Sequence, residues 1–384
     1  MNPASVGIVE TQYLDLPGSL RLDSGRTLRQ VRVAYETYGT LSPARDNVIL
    51  VCHALSGDAH AAGLSSAPPE EGTRDGFAAA GSPKGIGWWD GMIGPGKAFD
   101  TDRYFVVSTN LLGGCRGTTG PSSVNPDTGR PYGSDFPVIT VADMVRCERA
   151  FLDSMGIHRL AAVAGGSLGG MQALEWATSY PDQVDTIVVI ASTHALQPQG
   201  VAWNAIARES IMRDPAWQGG DYYGTGRAPD AGMGVARMVG HITYLSAPSL
   251  AEKFGRRLQS GDDIRYTLHE PEFEVESYLR HQADSFVRRF DANTYLHLSR
   301  ALTYFDLRLP EAAKSITART LLIAFSSDWL YPPSGSETIA AALRDEGKPV
   351  ELHLIDAPYG HDCFLLEEAR QIPVVRAFLH EGRP

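Results

Sequence analysis

The chain has 384 residues, of which 43% are hydrophobic and 21% charged, with a formal net charge of −11. Such a length suits one large domain or a domain carrying an insertion, and the acidic balance argues against a general nucleic-acid or anionic-membrane binder. An anionic substrate therefore needs a local basic pocket. No apolar run approaches the roughly 20 residues of a membrane span, and Met1 to Leu16 show no secretory signal pattern. The four cysteines, Cys52, Cys115, Cys147 and Cys363, are scattered and form no CxxC pair. Free thiols in a reducing cytoplasm are expected, with no disulfide framework and no zinc site.

In chain order, Ile8 to Tyr13 and Arg29 to Tyr38 alternate well enough to be antiparallel strands. Val48 to Cys52 is a short apolar run of the kind found in a central parallel strand. It ends in His53-Ala54-Leu55-Ser56-Gly57-Asp58-Ala59-His60, at a strand's carboxyl end, where ligands sit in open α/β sheets. Residues 61–97 read as a long ordered loop, because Trp88 and Trp89 seek burial. Tyr104 to Ser108 is another strand, leading into the glycine- and hydroxyl-rich stretch Asn110 to Ser123. That stretch could present backbone donors to a phosphate, but it lacks GxGxxG spacing and a strand-to-helix entry, and a loop walling a pocket is the plainer reading.

Val141 to Met155 has helical spacing. Leu160 to Ala164 is a buried strand, followed by Gly165-Gly166-Ser167-Leu168-Gly169 and then helical Met171 to Ala177. Strand, Gly-x-Ser-x-Gly turn and helix together form a nucleophile elbow, with the Ser167 hydroxyl at a helix N-terminus. Thr186 to Ile190 is the next strand, and the alternation up to there implies a mostly parallel, doubly wound sheet. From about Gly200 to Leu307 the pattern is nearly all helical, and it reads as a cap. Alternation then resumes: strand Thr320 to Phe325, helix Ser336 to Arg344, strand Val350 to Ile355, helix Pro373 to His380. The expected division is a catalytic domain over 1–195 and 308–384, with a helical cap over 196–307.

A serine hydroxyl needs a base to take its proton. In α/β-hydrolases the order is Ser, then acid, then His. Asp328 and His361 each lie just past a predicted strand end, as Ser167 does, so the three can converge on one sheet edge. Asp356 competes with Asp328, but it would have to orient a histidine five residues away on its own loop. His53 and His60 come in the wrong order for the base and are expected to be structural. The chemistry this suggests is acyl transfer, with an oxyanion hole from the N–H of Leu168 and a second N–H from the early loop, where Leu55 is best placed.

At this point the sequence resembles the homoserine O-acetyltransferases of methionine biosynthesis. Similar stretches run from Gly165 to Ala177 and from Cys52 to His60, and include Trp88-Trp89-Asp90, Gly94 to Lys97 and Gly120 to Ser123. Ala236 to Tyr244, Lys253 to Arg257, Ser327-Asp328-Trp329-Leu330 and Gly360-His361-Asp362 complete the set. Leu168 stands where that family often has Met, and Cys363 where it often has Ala. The resemblance implies the α/β-hydrolase fold and a ping-pong reaction, in which acetyl-CoA acylates Ser167 and L-homoserine then takes the acetyl group. It implies no cofactor beyond acetyl-CoA as co-substrate, and a homodimer through the cap. It also implies that Arg237 and Asp362 hold the acceptor, which suits an α-carboxylate and an α-ammonium. Leu330 is at the position that separates acetyl from succinyl users, and with no cation there an acetyl donor is expected. A succinyl-CoA donor, L-serine as acceptor, water as acceptor and a catalytically dead binding module are the rival readings.

Overall fold

The apolar runs become strands wherever they can be buried on both faces. The computed structural model describes residues 5–66 and 85–381. Its main sheet has eight strands: β1 (Gln12–Asp15), β2 (Arg32–Tyr38), β3 (Val48–Cys52), β4 (Phe105–Thr109), β5 (Ala162–Gly166), β6 (Thr186–Ile190), β7 (Arg319–Phe325) and β8 (Val350–Ile355). Their spatial order is β8-β7-β6-β5-β3-β4-β2-β1. Strands β3 to β8 pair in parallel, whereas β2 runs antiparallel to both β4 and β1. Every residue of β3, β4, β5 and β6 is buried, as continuous hydrophobic runs in a two-sided parallel sheet should be.

Helices cover both faces. In chain order those of seven residues or more are α1 (Val141–Ser154), α2 (Leu168–Ser179), five cap helices α3 (Pro198–Met212), α4 (Asp230–Tyr244), α5 (Ala247–Lys253), α6 (Glu274–Val287) and α7 (Ala292–Tyr304), then α8 (Pro333–Asp345) and α9 (Glu368–His380). Thr140 starts α1 with a capping box, its hydroxyl accepting from the Asp143 N–H while the Asp143 carboxylate accepts from the Thr140 N–H. One apolar cluster, containing Leu50, Val163, Met171 and Trp176, lies under α1 and α2, and a second, with Trp89, Ile323, Phe364 and Val375, fills the other face. The chain leaves the sheet for the cap and returns at one place: Ala195 bridges Asp306, and the Leu307 N–H donates to His194 O at 2.8 Å. None of the helices is long and apolar enough to cross a membrane among the described residues.

Three local expectations change. The N-terminal strands do pair antiparallel, but through Gln12–Asp15, while Ile8–Val9 pairs in parallel with Leu64–Ser65. A small hairpin, Ser19–Arg21 with Thr27–Arg29, stands between the two long partners. Helix α9 begins at Glu368 rather than Pro373; the proline lacks one N–H, and the burial of Gln371 and Val375 holds the helix through it. Of the loop over 61–97, residues 67–84 lie outside the described residues; beyond them Trp89 is fully buried and stacks on Trp88 at 5.0 Å. In the Asn110 to Ser123 loop two threonine hydroxyls are taken up by nearby backbone groups. Thr118 Oγ accepts from the Ala34 N–H and donates to Asn110 O, and Thr119 Oγ accepts from the Arg32 N–H.

Candidate active site

The elbow is a backbone device before it is a chemical one. Strand β5 must turn into α2 within a single residue, and Ser167 takes φ +58°, ψ −121° to do so. A non-glycine residue held there stores roughly 1–3 kcal/mol. The close packing requires glycines on either side: a Cβ at Gly169 would sit 2.0 Å from Cys52 O, and one at Gly165 would sit 2.4 Å from the Gly169 carbonyl carbon. The turn is clamped by the Ser167 N–H, donating to Ile190 O at 2.9 Å, and by Ser192 Oγ, donating to Ser167 O at 2.8 Å. Leu168, the first helical residue, has an N–H ahead of the intrahelical ladder.

Beyond β7 and β8 the chain delivers the other two groups. His361 Nε2 lies 2.9 Å from Ser167 Oγ, and His361 Nδ1 lies 2.7 Å from Asp328 Oδ2. Asp328 keeps its other oxygen occupied by the N–H groups of Leu330 and Tyr331, at 3.0 and 2.9 Å. All three side chains are buried. Burial alone would depress the His361 pKa, but the charge and hydrogen bond of Asp328, with the charge of Asp362, outweigh it and raise the imidazole above its ordinary value. Asp356 points away: exposed to solvent, it accepts from Ser326 Oγ at 2.6 Å. His60 is tied to Glu36 at 2.9 Å and to Gly85 O at 3.0 Å, and His53 to Ala54 O and the Leu111 N–H. Neither reaches the serine.

A cleft opens over Ser167, lined by Leu55, Leu330 and Tyr331 from the sheet domain and by Trp203, Thr243, Tyr244 and Tyr295 from the cap. Leu330 presents an aliphatic side chain there. Helix α4 carries Arg237, whose guanidinium packs over Phe286 (4.4 Å) and Tyr244 (5.7 Å), with its buried Nε unpartnered. Asp362 follows His361 directly. Burial raises its carboxyl pKa, against the lowering by His361, Arg237 and Lys253, so it shares their field without forming an ion pair with Arg237 within 4.0 Å. Cations gather around Arg237 in a chain that is acidic overall. His241 is pushed down to about 3 by burial and by Arg237, Lys253 and Arg289. Arg289 is itself pushed down to about 10 by burial and by Arg237 and Arg116, and it donates to Ser56 O at 3.3 Å.

Several contributors lacked a signal in the sequence. Tyr331 sets its ring edge-on to His361 at 4.9 Å, Ser192 holds the elbow carbonyl, and Arg289 adds charge from a loop between α6 and α7. Tyr331 could have been noticed three residues after Asp328; the other two look like ordinary surface residues until the loops are brought together. Among the described residues no cluster of His, Cys, Asp and Glu could hold a metal ion.

A family model described as alpha/beta hydrolase fold matches residues 47–368. The homoserine O-acetyltransferase of Methanococcoides burtonii is 50% identical over 99% of this chain and 75% of that protein. The homoserine O-succinyltransferase of Bordetella pertussis is 50% identical over 97% of this chain and 89% of that one. The crystal structure of homoserine O-acetyltransferase from Bacillus anthracis superposes with a TM-score of 0.86 at 30% identity, covering 98% of both chains. An elbow serine within reach of an imidazole, a cap closing the cleft and full-length similarity at half identity agree: the chain belongs to the homoserine O-acetyltransferase family of α/β-hydrolases.

Proposed function

We propose that this protein transfers an acetyl group from acetyl-CoA to the hydroxyl of L-homoserine, with Ser167 as the transient carrier. The observation that carries the reading is the Ser167–His361–Asp328 chain of hydrogen bonds, at 2.9 and 2.7 Å, opening onto a cleft lined from both the sheet domain and the cap. In the first half-reaction Ser167 Oγ attacks the thioester carbonyl and His361 Nε2 takes its proton. The tetrahedral adduct collapses, the C–S bond breaks, and the CoA sulfur leaves with the proton from His361. In the second, His361 takes the proton of the homoserine hydroxyl, whose oxygen attacks the acetyl carbonyl. Collapse returns the proton to Ser167 Oγ and releases O-acetyl-L-homoserine. Asp328 fixes the Nδ1–H tautomer and stabilises the imidazolium in both halves. The N–H groups of Leu55 and Leu168 hold the oxyanion.

Arg237 pairs with the acceptor's α-carboxylate and Asp362 with its α-ammonium, while Leu330 gives the acyl pocket an aliphatic wall suited to acetyl. Every bond change is completed by these side chains and the two substrates, so no further cofactor is invoked. A second copy of the chain covers the cap: Ile206 on α3, and Val235 and Ile242 seven residues apart on α4, are 49%, 46% and 39% exposed. Sedimentation equilibrium of the parent and of Val235→Glu/Ile242→Glu tests that dimer, which the double variant should dissociate. Four buried, unpaired thiols suit a reducing cytoplasm. The decisive experiment is a panel of acetyl-CoA and succinyl-CoA against L-homoserine, L-serine and water, ranked by kcat/KM. The acetyl–homoserine pair should lead. CoA release independent of any amino acid would make this an esterase instead, and a lead for succinyl-CoA would overturn the role given to Leu330.

A further inference from the structure

An oxyanion donor is useful only if its peptide plane is held still, and a loop peptide has no secondary structure to hold it. The Ala54–Leu55 peptide follows β3 and precedes the turn closed by the Gly57 N–H on Ala54 O (3.1 Å). The side chain next to it is His53, 1% exposed, in contact with both chain segments that border the loop. Its Nδ1 lies 2.7 Å from Ala54 O, and its Nε2 lies 3.1 Å from the Leu111 N, just past the end of β4. A carbonyl can only accept and a backbone N–H can only donate, so the ring is neutral, with its proton on Nδ1. Burial that pushes this imidazole down to about 4 agrees.

In a trans peptide the C=O and the following N–H point in opposite directions. An imidazole gripping Ala54 O from the protein interior therefore aims the Leu55 N–H the other way, toward the cleft that Leu55 lines beside Ser167. Gln172, fully buried on α2, donates to both His53 O (3.3 Å) and Leu168 O (3.2 Å), and so ties this loop to the elbow that carries the second donor. We propose that His53 is a positioning residue for the oxyanion hole: its Nδ1–H fixes the Ala54–Leu55 peptide so that the Leu55 N–H meets the developing oxyanion. This role rests on the acyl-transfer reading and on Leu55 as a donor within it.

Two near-isosteric substitutions separate the two ring contacts. The carboxamide of His53→Asn falls near Nδ1 and keeps the bond to Ala54 O; that of His53→Gln falls near Nε2 and keeps only the bond from Leu111. Acylation is read as the single-turnover release of CoA from acetyl-CoA, alongside steady-state kcat and KM and the melting temperature. His53→Asn should stay within about tenfold of the parent, whereas His53→Gln should lose about a hundredfold in kcat with KM for acetyl-CoA little changed, the loss typical of one missing oxyanion donor. Equal losses in both variants, or losses that follow the melting temperatures, would overturn the proposal. NMR of ¹⁵N-histidine-labelled parent enzyme needs no variant: His53 must be the Nδ1–H tautomer, and a proton on Nε2 would defeat the role outright. If the parent forms no acetyl-Ser167 at all, it is the acyl-transfer reading that fails; if it does and the variants behave alike, only the role of His53 fails.

Discussion

The strain at the nucleophile can be measured by removing the nucleophile in two different ways. Ser167→Ala and Ser167→Gly both delete the hydroxyl, and with it the 2.9 Å contact to His361, so that loss cancels between them. They differ at the backbone. Alanine must still adopt φ +58°, ψ −121°, whereas glycine adopts it freely. Relief of about 1–3 kcal/mol of strain is offset by about 0.5–1 kcal/mol of extra unfolded-state entropy for glycine. Ser167→Gly should therefore be more stable than Ser167→Ala by about 1 kcal/mol at mid-range, between limits of about 0 and 2.5 kcal/mol. With an unfolding entropy of roughly 2 cal/mol/K per residue over 384 residues, each kcal/mol is worth about 1 °C in Tm, so equilibrium urea unfolding is the better assay. Mass spectrometry after exposure to acetyl-CoA should show acetylation of Ser167 in the parent and in neither variant. If Ser167→Gly proved less stable than Ser167→Ala, by about the 0.5–1 kcal/mol that glycine's entropy alone would cost, the elbow would hold no strain and the reading of its backbone would be wrong.

Three further outcomes follow from the same geometry. Asp328→Asn should lower kcat/KM by about 10⁴-fold; because His361 must be neutral to accept a proton and its pKa is raised in the parent, activity falls as pH falls through that raised value, and the acid limb of a pH–kcat/KM profile should move to lower pH in the variant. Arg237→Ala should raise the KM for homoserine by about 10–100-fold, the equivalent of one charge-assisted hydrogen bond, while the burst of CoA release in the first half-reaction is unchanged; a slowed burst would remove Arg237 from the acceptor site. Glu148, buried beneath the sheet on Trp176 Nε1 (2.7 Å), Thr109 and Cys52, is raised by burial from 4.5 to about 7. The folded state then holds its proton more tightly than the unfolded one, so stability present below pH 4.5 is lost as pH rises through 7, by about 3 kcal/mol. In urea unfolding at pH 5 and pH 8, the stability of Glu148→Gln relative to the parent should therefore increase with pH.

What could be read from the sequence was whatever a short stretch decides alone. Gly165 to Gly169 needs no distant partner to be recognised as a turn, and the apolar runs before Ser167, Asp328 and His361 mark strand ends by composition. Since parallel strands end on the same sheet edge, three local readings sufficed to gather three side chains. The choice of Asp328 over Asp356 also came from local reasoning, and the structure gives the physical complement: Asp356 is taken up by Ser326 in solvent. Contacts that depend on which loops meet were invisible. Nothing near Ser192 says that it will donate to Ser167 O, nothing around Arg289 says that its guanidinium will reach Ser56 O, and the parallel pairing of Ile8–Val9 with Leu64–Ser65 joins segments with no shared pattern.

An acyl-enzyme of this kind faces water as a competing acceptor throughout its life, so transfer requires that the acceptor hydroxyl be positioned, not merely admitted. Positioning is worth effective concentrations on the order of 10⁵ M or more when the reacting groups are held rigidly, far above that of bulk water. The architecture supplies such rigidity by joining the two halves of the site. Arg237 comes from cap helix α4, while Asp362 comes from the same short turn as the base, His361. That turn is pressed against the end of α4, where a Cβ at Gly360 would lie 2.6 Å from Tyr244 O, and Trp329 Nε1, next to Asp328, donates to Leu245 O at 2.9 Å. The loops that bear Asp328 and His361 are thus fastened to the helix that carries Arg237. In the binding mode proposed above, an amino acid held at both ends by Arg237 and Asp362 would have its side-chain hydroxyl left to face His361 Nε2, and a water molecule, with nothing to hold at either end, would have no equivalent claim on that position.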